Sequence, residues 1–278
     1  MKSISLAISL LLGVTGVQGA VQYEFRQTFH SDVEAMPSND MIGRGIIDGD
    51  RFRVEFVSGS AFPAGSYMIS SNGSNQQIWV DPSKKSYLEV NSGSVASAVG
   101  ASHITISKKK VELTKMPDHP ILAGLPTEHY RLVLNYDIAL PFGQIELKQS
   151  VTTVIDKWTT MAYAAAAENF LAGAAVHTGN ADIDDIFETE NTKIKGFPLR
   201  QTIAITTVNA NPTAPGTQLK IQPVHTQTRD LTITAIESKP NVAAALFQIP
   251  AGFHKADPQR DDTQKAPVQV LSMEPAQQ

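Results

Sequence analysis

Apolar and polar residues alternate with a period of two through most of the chain, and this restricts the fold more than any motif does. Val21, Tyr23 and Phe25 point one way while Gln22, Glu24 and Arg26 point the other. Phe52, Val54 and Phe56 alternate with Arg51, Arg53 and Glu55. Tyr130, Leu132, Leu134 and Tyr136 repeat the pattern, as do Ile145, Leu147, Val151 and Ile155. Ile203 with Ile205, Leu219 with Ile221, and Leu231 with Ile233 continue it. Parallel strands buried on both faces would read as unbroken apolar runs. The spacing therefore predicts an antiparallel sheet with one covered face.

Turn residues punctuate the same segments. Asp48-Gly49 separates Ile46-Ile47 from the Phe52 segment and predicts a hairpin, because Gly accepts positive φ. Asn72-Gly73-Ser74-Asn75 and Asp81-Pro82-Ser83-Lys84 divide the next three segments, giving a meander of four or five short strands before residue 91. One phase slip interrupts the alternation. Ile104 and Ile106 are even-numbered and Val111 and Leu113 odd, with Lys108-Lys109-Lys110 between them, so a bulge is expected at the lysines. Residues 159–192 read as the helical region, with an Ala-rich stretch from Met161 to Ala174 and a second from Ala181 to Glu190. Ser94 to Ala101 suggests one or two further helical turns. The class is mainly β, with an α+β character from these helices.

With 42% hydrophobic residues among 278, the chain has enough apolar material for a core. No internal repeat or linker divides it. Met1 to Gly19 reads as a secretory signal: Lys2, then Ile4 to Val14, then the small-residue exit Val17-Gln18-Gly19 before Ala20. That apolar run of about 11 residues is short of the roughly 20 a membrane span needs. The expected organisation is a signal peptide over 1–19, one domain over 20–254 and a disordered tail over 255–278 rich in Pro, Asp and Gln. The expected location is periplasmic or secreted, with no stable membrane span in the mature protein. Trp158 to Val176 is apolar but carries Glu168, Asn169 and Gly173, which suits a buried helix better than a span.

Absence of Cys excludes disulfides, thiolate metal sites and thiol nucleophiles. A net charge of −4 argues against a nucleic-acid partner. The nucleophile elbow, the two-His zinc helix and the phosphate-cradling loop are all missing. Asn180, Asp182 and Asp184 match the start of a calcium loop, but Asp185 replaces its Gly and Asn191 its final Glu, so they read as first-turn helix carboxylates. The seven His residues include no pair at two- or four-residue spacing. His119 and His129 could converge around the Pro120 to Pro126 turn, but turn histidines are the simpler account. Lys108 to Lys110 reads as a solvated strand edge that discourages sheet-to-sheet pairing. Scattered carboxylates such as Asp137, Glu146 and Asp156 form no visible acid–base pair. The chain is expected to be no enzyme, with no cofactor and no metal.

Three stretches carry a family resemblance: Val80-Asp81-Pro82 leading to Lys85-Ser86-Tyr87-Leu88; Ile121-Leu122-Ala123-Gly124-Leu125-Pro126 leading to His129-Tyr130; and the close Leu246-Phe247-Gln248-Ile249-Pro250-Ala251-Gly252-Phe253. With them the chain resembles the periplasmic lipoprotein-localisation carriers (LolA/LolB-like) and their uncharacterised secreted relatives over roughly residues 20–254. The resemblance implies a strongly curved antiparallel sheet forming an unclosed half-barrel, with short helices packed on its concave face. It also implies a lipid or acyl-chain ligand between sheet and helices. Candidate lining residues are Tyr23, Phe25, Phe52, Val54, Phe56, Leu132, Leu134, Ile145 and Leu147. The alternative is a non-enzymatic envelope assembly protein that meets a protein partner and keeps a filled core.

Overall fold

Apart from Leu219 and Ile221, which lie outside the described residues, the alternating segments become the strands of one large sheet. The computed structural model describes residues 19–32, 38–60, 62–70, 76–91, 105–142, 145–172, 192–210 and 224–256. Its strands are β1 (Ala20–Ser31), β2 (Asn39–Asp48), β3 (Arg51–Gly59), β4 (Tyr67–Ser70), β5 (Gln76–Asp81), β6 (Ser86–Asn91) and β7 (Thr105–Lys115), followed by the short pair β8 (Ile121–Leu122) and β9 (Leu125–Pro126). β10 (Glu128–Phe142), β11 (Ile145–Thr160), β12 (Phe197–Asn209), β13 (Val224–Lys239) and β14 (His254–Lys255) complete the set. All but β8 and β9 join a 12-stranded sheet in the order β14-β6-β5-β4-β3-β2-β1-β13-β12-β11-β10-β7. Every ladder is antiparallel except that of β14 with β6. The sheet does not close: its edges are β14 and β7.

Local chemistry explains the turns. Gly49 takes φ 62° between β2 and β3, and Arg51 bonds back to Asp48 across the hairpin. Asp81 Oδ1 accepts hydrogen bonds from the Ser83 amide at 3.0 Å and its hydroxyl at 2.6 Å, closing the turn into β6. The lysine bulge forms as expected. β10 steps from Asn135 to Asp137 while β7 passes from Lys110 to Ser107, and Lys108 takes φ 52°. Register shifts also fall between Glu24 and Phe25 against β13, between Ile42 and Gly43 against β3, and between Trp158 and Thr159 against β12. Each adds local bend and twist, so four of the ladders help curl the sheet into a half-barrel.

One face of this curl is concave. Thr160 ends β11 and caps a 3-10 turn (Met161–Tyr163), its side chain accepting from the Ala162 amide. Helix α1 (Ala164–Ala172) follows and packs against β2, β3 and β12 together. β1 and β13 lie between these strands, so the sheet curves around the helix. Ala166 and Ala167 are buried there, their small side chains letting the helix sit close to the sheet. The second expected helical stretch, 181–190, and the segment 94–101 lie outside the described residues, as do the signal segment through residue 18 and the tail from residue 257.

The convex face is covered at one end. The closing segment folds back so that Ile249 and Phe253 pack on Tyr67, Ile69 and Val80. Phe247 is buried, with the Arg51 guanidinium 4.8 Å from its ring centre.

Candidate functional site

Following the registers from strand to strand sorts the side chains by face. Tyr23 lies opposite Gly45, which lies opposite Val54, then Met68, Trp79 and Leu88. In the other direction Tyr23 meets Ile236, and farther along the same face Arg229 lies opposite Ile203, Ile155, Leu132 and Leu113 in turn. The concave face therefore carries every candidate lining residue whose side chain is described. They fall into two separate apolar clusters.

The first cluster lies beneath α1. Tyr23, Phe25, Phe52 and Phe56 are buried in it with Val21, Ile47, Trp79, Phe197 and Leu199; Val54 is half-buried against it. Aromatic edges pin the helix: the Phe170 ring centre is 5.3 Å from that of Tyr23 and 4.9 Å from that of Phe197. Gly43 and Gly45 are needed here, because a Cβ at either would overlap the ring of Phe25 or Tyr23. Burial pushes the Tyr23 hydroxyl well above its ordinary pKa, which keeps the phenol neutral. The Trp79 indole N–H is buried with no acceptor among the described residues.

The second cluster holds Leu132, Leu134 and Ile155, with Val111, Leu113, Tyr136 and Ile203 half-buried around them. No described helix residue belongs to it. Ile145 and Leu147 share the ladder of β10 and β11, opposite Phe142 and Leu140; their side chains lie outside the described residues.

Polar groups interrupt this second region. Lys157, Thr153, Gln149 and Thr207 are buried on the same face. Desolvation pulls the Lys157 ammonium down to about 8. Arg229 occupies the seam between the clusters: Leu231 beside it packs on the first and Ile203 opposite it on the second. Its side chain is exposed, yet the surrounding protein desolvates the guanidinium enough to lower its pKa. Neither cation was among the expected lining residues, although both were legible. Lys157 is in phase with Val151 and Ile155, and Arg229 with Leu231 and Ile233, so alternation alone puts them on the covered face.

On the convex face, His129 is buried between two carboxylates. Its Nδ1 lies 2.6 Å from Asp118 Oδ1 and its Nε2 2.8 Å from Asp156 Oδ1, so only the imidazolium donates to both. Trp158 stacks on the imidazole at 4.2 Å, and Arg131 holds Asp156 through two hydrogen bonds of 2.8 and 3.0 Å. Burial opposes ionisation of Asp156, but the bonds from Arg131 and His129 outweigh it and hold its carboxyl below the usual range. The bond from His129 holds Asp118 low too. Asp137 is committed to Lys108 and Ser150. Asp156 of β11 thus meets Arg131 and His129 of β10, and Asp137 of β10 meets Lys108 of β7 and Ser150 of β11. Among the described residues no group of three or more His, Cys, Asp or Glu is placed to hold a metal ion, and no helix is long and apolar enough to cross a membrane.

No family model matches the chain, and no curated protein is similar to it. Among solved structures it is similar to the crystal structure of a LolA superfamily protein, NE2245 from Nitrosomonas europaea. That match has 7% identity, covers 84% of this chain and 91% of the other, and has a TM-score of 0.30.

Proposed function

We propose that this protein is an exported, periplasmic or secreted, non-enzymatic binder or carrier of a lipid-like apolar ligand held against the concave face of its sheet. The observation that carries the reading is the second apolar cluster, Leu132, Leu134 and Ile155 with their half-buried neighbours, to which no described residue of α1 contributes. A hydrocarbon chain laid on this region gains about 0.8 kcal/mol per buried CH₂. In this reading the half-buried Leu113 and Ile203 meet the ligand, and Leu132 and Leu134, already buried, back them. Tyr23, Phe25, Phe52, Val54 and Phe56 serve as the wall that fixes the helix at its margin.

The test is native mass spectrometry of the protein purified from cell envelopes without detergent, followed by uptake of a fluorescent fatty acid. Adducts removed by detergent, and saturable uptake afterwards, are the expected result. A clean apo mass together with no uptake overturns the reading. The second reading, an envelope assembly protein with a filled core, draws on the close packing of Leu132 and Leu134, which are 2% and 1% exposed. A stoichiometric protein partner that co-purifies with lipid-free material would favour it.

A further inference from the structure

Carboxylates match cations on both faces of the sheet. On the convex face arginines and lysines are matched with carboxylates: Arg26 with Asp40, Arg44 with Glu55, Lys108 with Asp137, Arg131 with Asp156 and Arg200 with Asp230. On the concave face the registers place two carboxylates among the described strand residues, both at strand ends. Glu128 is bonded to Lys115 and to the Tyr130 hydroxyl, and Asp81 closes its own turn. Neither is paired with Arg229, which has no ion pair among the described residues and lies mid-strand between Phe29 of β1 and Ile203 of β12. Its neighbours on that face, Phe29, Leu231, Ile203 and Ile205, are half-buried and uncharged. A partly desolvated cation without a counter-charge is costly, and an anion that reaches it removes the cost.

Apolar residues continue from Arg229 across the sheet. Ile203, Ile155, Leu132 and Leu113 follow it on successive strands. Four interstrand steps of about 4.8 Å carry this row roughly 19 Å from the cation. A cation at the head of an apolar row is complementary to a molecule with an acidic head and a hydrocarbon tail. We propose that Arg229 anchors the acidic headgroup, carboxylate or phosphate, of an anionic amphiphile whose chain lies along this row. The inference rests on the ligand-binding reading above and narrows it to a charge class.

The test uses the full chain after delipidation, titrated with cis-parinaric acid and separately with its uncharged methyl ester, both followed by polyene fluorescence. The acid is expected to bind about 10- to 100-fold more tightly than the ester, as one charge-assisted contact implies. Arg229→Gln should remove that preference while leaving ester binding in place. Arg229→Lys should restore part of it, and Arg26→Gln on the convex face should leave it intact. Thermal melts check that each variant folds. Equal binding of acid and ester by the unaltered protein overturns the headgroup assignment and leaves the apolar-ligand reading standing. Binding of neither probe overturns both. Loss of acid and ester alike in a folded Arg229→Gln protein makes the arginine a wall and not an anchor. Stabilisation by inorganic phosphate equal to that by the acid makes this a free-anion site and ends the amphiphile proposal.

Discussion

The two halves of the concave face share one sheet, yet they are built from different chemistry. The half formed by β1 to β5 together with the first residues of β12 is aromatic in front, where α1 closes over Tyr23 and Phe197, and apolar behind, where Ile249 and Phe253 cover Tyr67 and Val80. The half formed by β7, β10, β11 and the parts of β12 and β13 beside them is aliphatic in front, punctuated by Lys157 and Arg229, and ionic behind, where His129 joins Asp118 to Asp156. Large interlocking rings on both faces make a core. Leucines and isoleucines mixed with desolvated cations make a surface on which a guest with a charged head can lie. The first half therefore carries the stability and the second carries the proposed function.

The largest effect separates the halves directly. Phe197, with none of its surface exposed, touches the rings of Tyr23, Tyr163 and Phe170. Phe197→Ala should cost about 3–5 kcal/mol in chemical denaturation. Ile203→Ala, at a half-buried site in the second cluster, should cost about 1–2 kcal/mol. Ile203→Ala should also weaken fatty-acid uptake in a protein that still folds. Equal losses of stability at the two positions would erase the distinction drawn here.

Much of the strand pattern in both halves was legible in the sequence, and the reason is period. Alternation fixes which side chains share a face, and the phase slip at Lys108 to Lys110 marked the bulge because a strand cannot change faces without an extra residue. Alternation does not say which strands a helix will cover. Tyr23 and Leu132 thus share one expected lining, although α1 closes over the first and none of its described residues joins the cluster around the second. Arg229 and Lys157 are in phase with apolar residues, but an apolar criterion for lining leaves out a charged side chain whatever its phase. The His129 clamp was not legible. Asp156 is 27 residues away, and only the β10–β11 register brings it to the imidazole.

The next effects test the backing of each half. His129→Phe keeps a ring against Trp158 but leaves Asp118 and Asp156 without the donor between them, and should cost about 2–3 kcal/mol. The same clamp makes the second half acid-sensitive. Both carboxyls titrate below their ordinary value when folded, so their contribution is fully present above pH ~4 and is lost as pH falls through the lower folded values. Hydrogen exchange read strand by strand should show β10 and β11 opening first on acidification, before β3 to β5. Simultaneous opening would mean that the ionic backing does not set the order. Gly45→Ala tests the first half from inside. The new Cβ overlaps the Tyr23 ring, which Phe170 and Phe197 hold in place, and the expected loss is about 1–3 kcal/mol.

The smallest effect has the opposite sign. Lys157 is 4% exposed, and burial lowers its pKa from 10.5 to about 8. Below pH 8 the ammonium is protonated in both folded and unfolded chains, and the folded state bears the full cost of burying it. Between about 8 and 10.5 the folded chain has released a proton that the unfolded chain still holds, so that cost fades as pH rises. Lys157→Met fills the same space without the charge and should stabilise the protein by about 1–2 kcal/mol at pH 7, less whatever contact the ammonium makes. The gain should shrink towards zero by pH ~10.5. A gain that stays constant across this range would assign the effect to packing. No gain at pH 7 would mean that the partners of Lys157 already offset its burial, leaving Arg229 as the cation that distinguishes the second half.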